Sequence, residues 1–90
     1  MRIRPVDRPS SALGQAVVLL RQGDPARAEA IALQTTNDDP ACARAWFLLG
    51  AARHARRKPA EALPAFGRAL ELDPDLVEAR RALTTVLLEL

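Results

Sequence analysis

The chain has 90 residues, 49% of them hydrophobic, a net charge of +2 and a pI near 9.5. That length suits one domain with a modest core and is too short for most catalytic folds with a separate substrate domain, and the mild basicity is well below that of a dedicated nucleic-acid binder. The single Cys42 excludes an internal disulfide framework and a thiolate zinc cluster, and no run approaches the roughly 18 apolar residues that span a bilayer, so a cytoplasmic location is expected.

The apolar residues are mostly Ala and Leu, with two Phe, one Trp and no Tyr, a composition that favours close-packed helices over sheets. Residues 1–9 carry Arg2, Arg4, Asp7, Arg8 and two prolines without apolar periodicity and read as a flexible arm; up to Ser11 there is no apolar core of a secretion leader. Helix one is expected from Ser10 to Gln22, where Leu13, Ala16, Val17, Leu19 and Leu20 recur at helical spacing, with Ser10 or Ser11 as N-cap and Gly23 as the stop. Asp24-Pro25 opens helix two, in which Ala28, Ile31, Ala32 and Thr35 continue the stripe to about Thr36 before the turn Asn37-Asp38-Asp39.

Helix three is expected from Pro40 to Arg57, capped by Asp39 and ending in the run Arg53, His54, Arg56, Arg57, Lys58. Cations in a last turn interact favourably with its unpaired carbonyls, so an end-capping role accounts for them without a ligand. Helix four runs from Pro59 to about Leu72 with Pro64 in its interior, where a lost hydrogen bond and ring clash predict a kink or a late start. Asp73-Pro74 opens helix five, Asp75 to Leu90, whose last residues include Val86, Leu87, Leu88 and Leu90; such an apolar end calls for a cover, either a second copy of the chain or further residues.

The chain repeats itself. Pro25 and Pro59, Ala28 and Ala62, Asp39 and Asp73, Pro40 and Pro74, and Ala45 and Ala79 are each 34 positions apart. Within the second copy Trp46, Leu49, Gly50, Ala62, Phe66, Ala69 and Pro74 fill seven of the eight marker positions of a 34-residue helix–turn–helix unit, and the chain resembles the tetratricopeptide repeat. Arg53 departs from the pattern, standing where the family prefers an aromatic. Trp46 and Leu49 share a helix face, Gly50 leaves room for a second backbone, Phe66 fills the angle between helices, and Pro74 punctuates the unit. The resemblance implies an all-α, right-handed solenoid of five helices: repeat one over about 9–42, repeat two over 43–76, and a single helix 77–90 that caps the stack or begins a third repeat. Repeat one has Ala12 in the Trp position and Ala32 in the Phe position, so it should be the thinner and less stable unit.

Catalytic chemistry finds no foothold. His54 is the sole histidine, has no carboxylate in helical register beside it and belongs to no HExxH or C-x-x-C pattern, and the isolated glycines form no phosphate-cradling loop. No enzyme activity, cofactor or metal is expected. A stack of helix pairs instead curves, and its concave side can hold an extended peptide or a partner helix. By resemblance, the groove-facing residues are Leu13, Val17, Leu20 and Arg21 of helix one, Arg44, Phe47, Ala51 and His54 of helix three, and Arg81, Thr85 and Leu88 of helix five. Members that bind chaperone tails hold a C-terminal carboxylate with Lys, Asn and Arg; here those positions are Leu13, Val17, Leu48, Glu78 and Ala82, so a chaperone tail is not the expected ligand. The expectation is a protein-interaction module for a peptide or partner helix, with self-association through the last helix as a further expectation. The alternatives are an N-terminal appendage of a bacterial enzyme continuing beyond Leu90 and, more weakly, nucleic-acid binding through the arginines of helix three.

Overall fold

The computed structural model of the protein describes residues 9–90, with side chains from Ala12 onward, so the expected arm lies outside the described residues except for Pro9. Five α-helices follow one another: α1 (Pro9–Arg21), α2 (Pro25–Asp38), α3 (Ala43–Ala55), α4 (Pro59–Leu72) and α5 (Val77–Glu89). There is no strand among the described residues.

Two kinds of connection join them, each used twice at the 34-residue interval. After α1 the chain reverses through Gly23 (φ 82°), with Gly23 N–H donating to the Leu20 carbonyl and Asp24 N–H to that of Leu19, the paired bonds that close a helix on a left-handed residue. The α3–α4 connection repeats this pattern with Arg57 (φ 65°) in the place of Gly23 and Lys58 in the place of Asp24. Asp24 caps α2 by accepting from the amide of Arg27, whereas Lys58 has the same backbone angles and makes no side-chain cap.

The other connection corrects two expected boundaries. Helices three and five start at Ala43 and Val77, later than Pro40 and Asp75, because Asp-Pro here makes a turn and not a helix start. The carboxylates of Asp39 and Asp73 accept from the amides two residues on, at Ala41 (3.3 Å) and Asp75 (3.1 Å), and Cys42 and Leu76 become the N-caps. The Trp46 indole N–H donates to the Pro40 carbonyl at 2.8 Å and ties this turn to α3. Ser10 and Ser11 fall inside the first turn of α1 and are not its N-cap, Pro9 taking the first helical position. Pro64 does not delay α4, which starts at Pro59; the bond it removes falls on Ala60, and both residues are exposed, leaving that carbonyl to water.

Helix α1 packs on α2, α2 on α3, α3 on α4 and α4 on α5, while α1 also touches α3 and α3 touches α5. The odd-numbered helices thus form one layer and α2 and α4 the other. The largest core cluster spans both repeats, with Leu13, Ala16, Ala28 and Ala32 meeting Leu48, Leu49, Ala52 and Ala65. Phe66 is wholly buried between Ala62 and Val86. Gly50 serves this ring and not a second backbone: a Cβ there would lie 2.7 Å from two Phe66 ring carbons. Burial of alanines on nearly every contact face keeps the helices close, so stability rests on dense contact more than on large side chains.

Candidate interaction groove

The side of each odd helix that faces the groove follows from its contacts and the helical advance of about 100° per residue. In α3 the buried Leu48 and Ala52 turn toward repeat one, and Phe47 turns toward α4 and α5, its ring centroid 5.9 Å from that of Phe66 on α4 and its side chain packed with Val86 and Ala79 of α5. Between them lie Arg44, Ala51 and Ala55, with His54 on the α5 side. The His54 Nε2 hydrogen-bonds to Glu89 Oε1 at 2.7 Å, which ties the C-terminal ends of α3 and α5 together along one edge of α5. Glu78, Arg81 and Thr85 share that edge. In α1, Leu13 is buried in the core, Val17 and Leu20 pack half-buried against it, and Arg21 is exposed.

This geometry rearranges the expected residues. Arg21, Arg44, Arg81 and Thr85 are exposed, and Val17, Leu20, Ala51 and His54 are half-buried. Leu13 is buried among α2 and α3 side chains and offers no surface to a ligand. Phe47 packs against all three core clusters, so it supports the floor more than it lines it. Leu88 is 83% exposed and lies two turns beyond Arg81, roughly 20° from it around α5. Sequence reasoning overlooked Ala55 and Glu89, and named Glu78 only as a clamp position. The repeat interval was the available signal for Glu89, since it stands one residue past the 34-residue equivalent of His54. The floor is therefore narrow and made of small residues, and the walls carry charges of both signs.

The basic end of α3 is not a free cationic patch. Arg53 Nε donates to Glu29 Oε2 at 3.2 Å, Arg56 bonds the other oxygen of the same carboxylate, and Arg53 also reaches the Glu61 carbonyl on α4 at 3.4 Å. Burial raises the Glu29 carboxyl, but the hydrogen bonds and charges of Arg56 and Arg53 outweigh it and hold the group below its usual range. These side chains thus turn to α2 and α4 and do not cap their own helix, and His54 is engaged by Glu89. Among the described residues no group of three His, Cys, Asp or Glu side chains is arranged to hold a metal ion, and no helix is long and apolar enough to cross a membrane.

The model of the tetratricopeptide repeat matches residues 13–77, which is both hairpins and the turn into α5. The chain belongs to the tetratricopeptide repeat family. Among 16 solved chains that match is the first TPR of Spaghetti (RPAP3) bound to HSP90 peptide SRMEEVD, with a TM-score of 0.85 and 28% identity over 91% of this chain. The present chain spans 65% of the length of that one. No curated protein matches it. As a tetratricopeptide domain the chain is all-α and solenoidal, with α1, α3 and α5 in the positions of the first helix of each repeat. Of its five carboxylate-clamp positions, Leu13 and Leu48 are buried, Val17 and Ala82 are half-buried and apolar, and Glu78 is an exposed acid.

Proposed function

We propose that this domain is a non-catalytic interaction module that receives a peptide or a partner helix in the groove between α1, α3 and α5. The carrying observation is the row formed by Val17, Ala51 and Thr85, one residue from each groove helix at 34-residue spacing, half-buried in the first two and exposed in the third. Small side chains in a row leave a channel at mid-groove, with Arg44 and Arg81 toward one end and Arg21 and the His54–Glu89 pair toward the other. That the similar RPAP3 domain is bound to a peptide supports peptide binding by this one. A free C-terminal carboxylate is a poor ligand here, because none of the clamp positions supplies a donor and Glu78 repels it. Selecting ligands from a random-peptide display on the folded protein tests the reading. Ligands should be lost on Ala51→Asp or Thr85→Asp with helix content unchanged; retention by both variants would refute it.

A second reading, self-association through the last helix, is favoured by the exposure of Val77, Leu87, Leu88 and Leu90 on α5. Its measure is mass in solution against concentration, with Leu87→Glu expected to return any dimer to monomer. Nucleic-acid binding is disfavoured, since Glu29 engages Arg53 and Arg56 and leaves Arg57 and Lys58 as the cations of that run outside this ion pair.

A further inference from the structure

Away from the groove, at the repeat-one end of the stack, α1 and α2 enclose a shallow hollow lined by Gly14, Gln15, Val18, Leu19, Arg27 and Ile31. The internal repeat shows what such a surface is for. The residues 34 positions later than Gly14, Gln15, Val18 and Ile31 are Leu48, Leu49, Ala52 and Ala65, which are 4%, 1%, 0% and 1% exposed, whereas Val18 is 49% exposed. Leu48, Leu49 and Ala52 lie on α3, which packs on α2; there Ala28 and Ala32, one turn apart, join the same cluster and Thr35 completes the buried face of α2, while Ala65 enters the cluster from α4. At these four positions the hollow is the equivalent surface one repeat earlier, and among the described residues no helix lies on it.

We propose that this hollow seats a single helix of a partner protein, one that resembles α2 in presenting Ala, Ser or Thr at positions i, i+4 and i+7. Small residues are required because Val18 stands where Ala52 stands in the internal interface, and Ile31 where Ala65 stands in the cluster behind it, so the protein side already supplies the bulk and a large residue opposite would hold the backbones apart. Gly14 leaves a gap on the same face: nothing lies within 4 Å of a Cβ placed there, so one larger side chain of the partner helix can enter. Among the described residues Arg27 is the only charged one lining the hollow, and Asp24 sits 3.6 Å from it, which places a polar rim along one edge.

The probe is the protein's own template for this interface, a fluorescent peptide of residues 25–38 held helical by a side-chain staple on its outward face. Titrated with the full chain, it should bind saturably, at least tenfold more weakly to Val18→Asp, and at least tenfold more weakly to Gly14→Leu, which fills the gap. Both positions are exposed, and unchanged thermal melts would show that the fold survives. No saturable binding, equal binding of a scrambled stapled peptide, or binding insensitive to both substitutions would overturn the proposal. Binding lost on Ala51→Asp but not on Val18→Asp would place the peptide in the groove, overturning this inference while leaving the groove reading intact. A dimer of the chain by itself that Val18→Asp dissociates would give the hollow to a second copy and overturn the partner-helix assignment.

Discussion

Substituting Gly50 by Ala tests the tightest contact in the domain. Alanine ordinarily stabilises a helix interior relative to glycine by up to about 1 kcal/mol, so helix propensity alone predicts a gain. At Gly50 the new methyl would sit 2.7 Å from Cδ1 and Cε1 of Phe66 and 3.0 Å from Cζ, about 1 Å inside the normal carbon–carbon contact of 3.5–4.0 Å. Phe66 cannot swing out, because it is fully buried against Ala62 and Val86 with Phe47 across its face. Overpacking costs of about 1–3 kcal/mol are typical, and the upper part of that range applies to a ring without slack. Net of the propensity gain, Gly50→Ala should destabilise by about 1–2 kcal/mol, a fall in Tm of roughly 5–15 °C for a domain of this size. The controls are built into the chain: Gly14 and Gly67 are helical and a Cβ at either meets nothing within 4 Å, so the same substitution there should raise Tm. Thermal melts followed by circular dichroism read all three. If Gly50→Ala shifts Tm upward like Gly14→Ala, the ring does not occupy the space described. A double variant with Phe66→Leu should recover part of the Gly50→Ala loss, because the two costs share one contact.

The α3–α4 connection carries a stabilising change already present in repeat one. Replacing Arg57-Lys58 by Gly-Asp transplants Gly23-Asp24 onto the same backbone: Gly relieves the left-handed strain at φ 65° and Asp supplies the missing cap, each by about 0.5–1 kcal/mol, so urea unfolding should show a rise of about 1–2 kcal/mol. No gain would mean that the two connections differ more than their dihedral angles suggest. Glu29→Gln should cost about 1–2 kcal/mol at pH 7 through the loss of charge-assisted hydrogen bonds to Arg53 and Arg56. The Glu29 carboxyl is held below its ordinary value, so its contribution is fully present above the unfolded-state pKa of about 4.3 and disappears as pH falls through the folded one. Urea unfolding of both proteins at pH 7, 5 and 3 should therefore show a gap that is constant at the first two and narrows at the third; a gap that stays open at pH 3 would remove the ion pair as its cause.

The fold was legible because the repeat pattern combines local and long-range information. The spacing of Trp46, Gly50 and Phe66 encodes a contact between helices as well as two helices, and Gly50 meets Phe66 in the structure. Helix starts after Asp-Pro were misread because the dipeptide is ambiguous: Asp24 caps the helix that Pro25 begins, while Asp39 and Asp73 bond two residues on and hold a turn. The groove was legible by register and not by depth. Repeat position places Leu13 and Val17 one turn apart on α1, yet a few tens of degrees separate a residue pressed on α2 and α3 from one half open to the concavity. Bonds between repeats lay beyond the pattern, since Glu29 with Arg53 and His54 with Glu89 pair residues 24 and 35 apart, and of these four only Arg53 stands at a marker position, which it departs from.

Arg53 shows how the departure from the family pattern and the thinness of repeat one belong together. With Ala12 and Ala32 in its large-residue positions, repeat one has few bulky side chains of its own to hold α2 in place. An aromatic at position 53 would fill space between α3 and α4 and do little for α2. An arginine there reaches in both directions, to the Glu29 carboxylate on α2 and to the Glu61 carbonyl on α4, and Arg56 reinforces the first of these. The side chain thereby links three helices, and the half-buried setting of the pair shields it from the screening that makes most surface ion pairs weak. Position and orientation of α2 then depend on residues of repeat two. It follows that Arg53→Tyr, which restores the family's preferred residue, should weaken the protection of α2 amides against hydrogen exchange more than that of α4 amides, a direction that a purely motif-based view of the repeat would reverse.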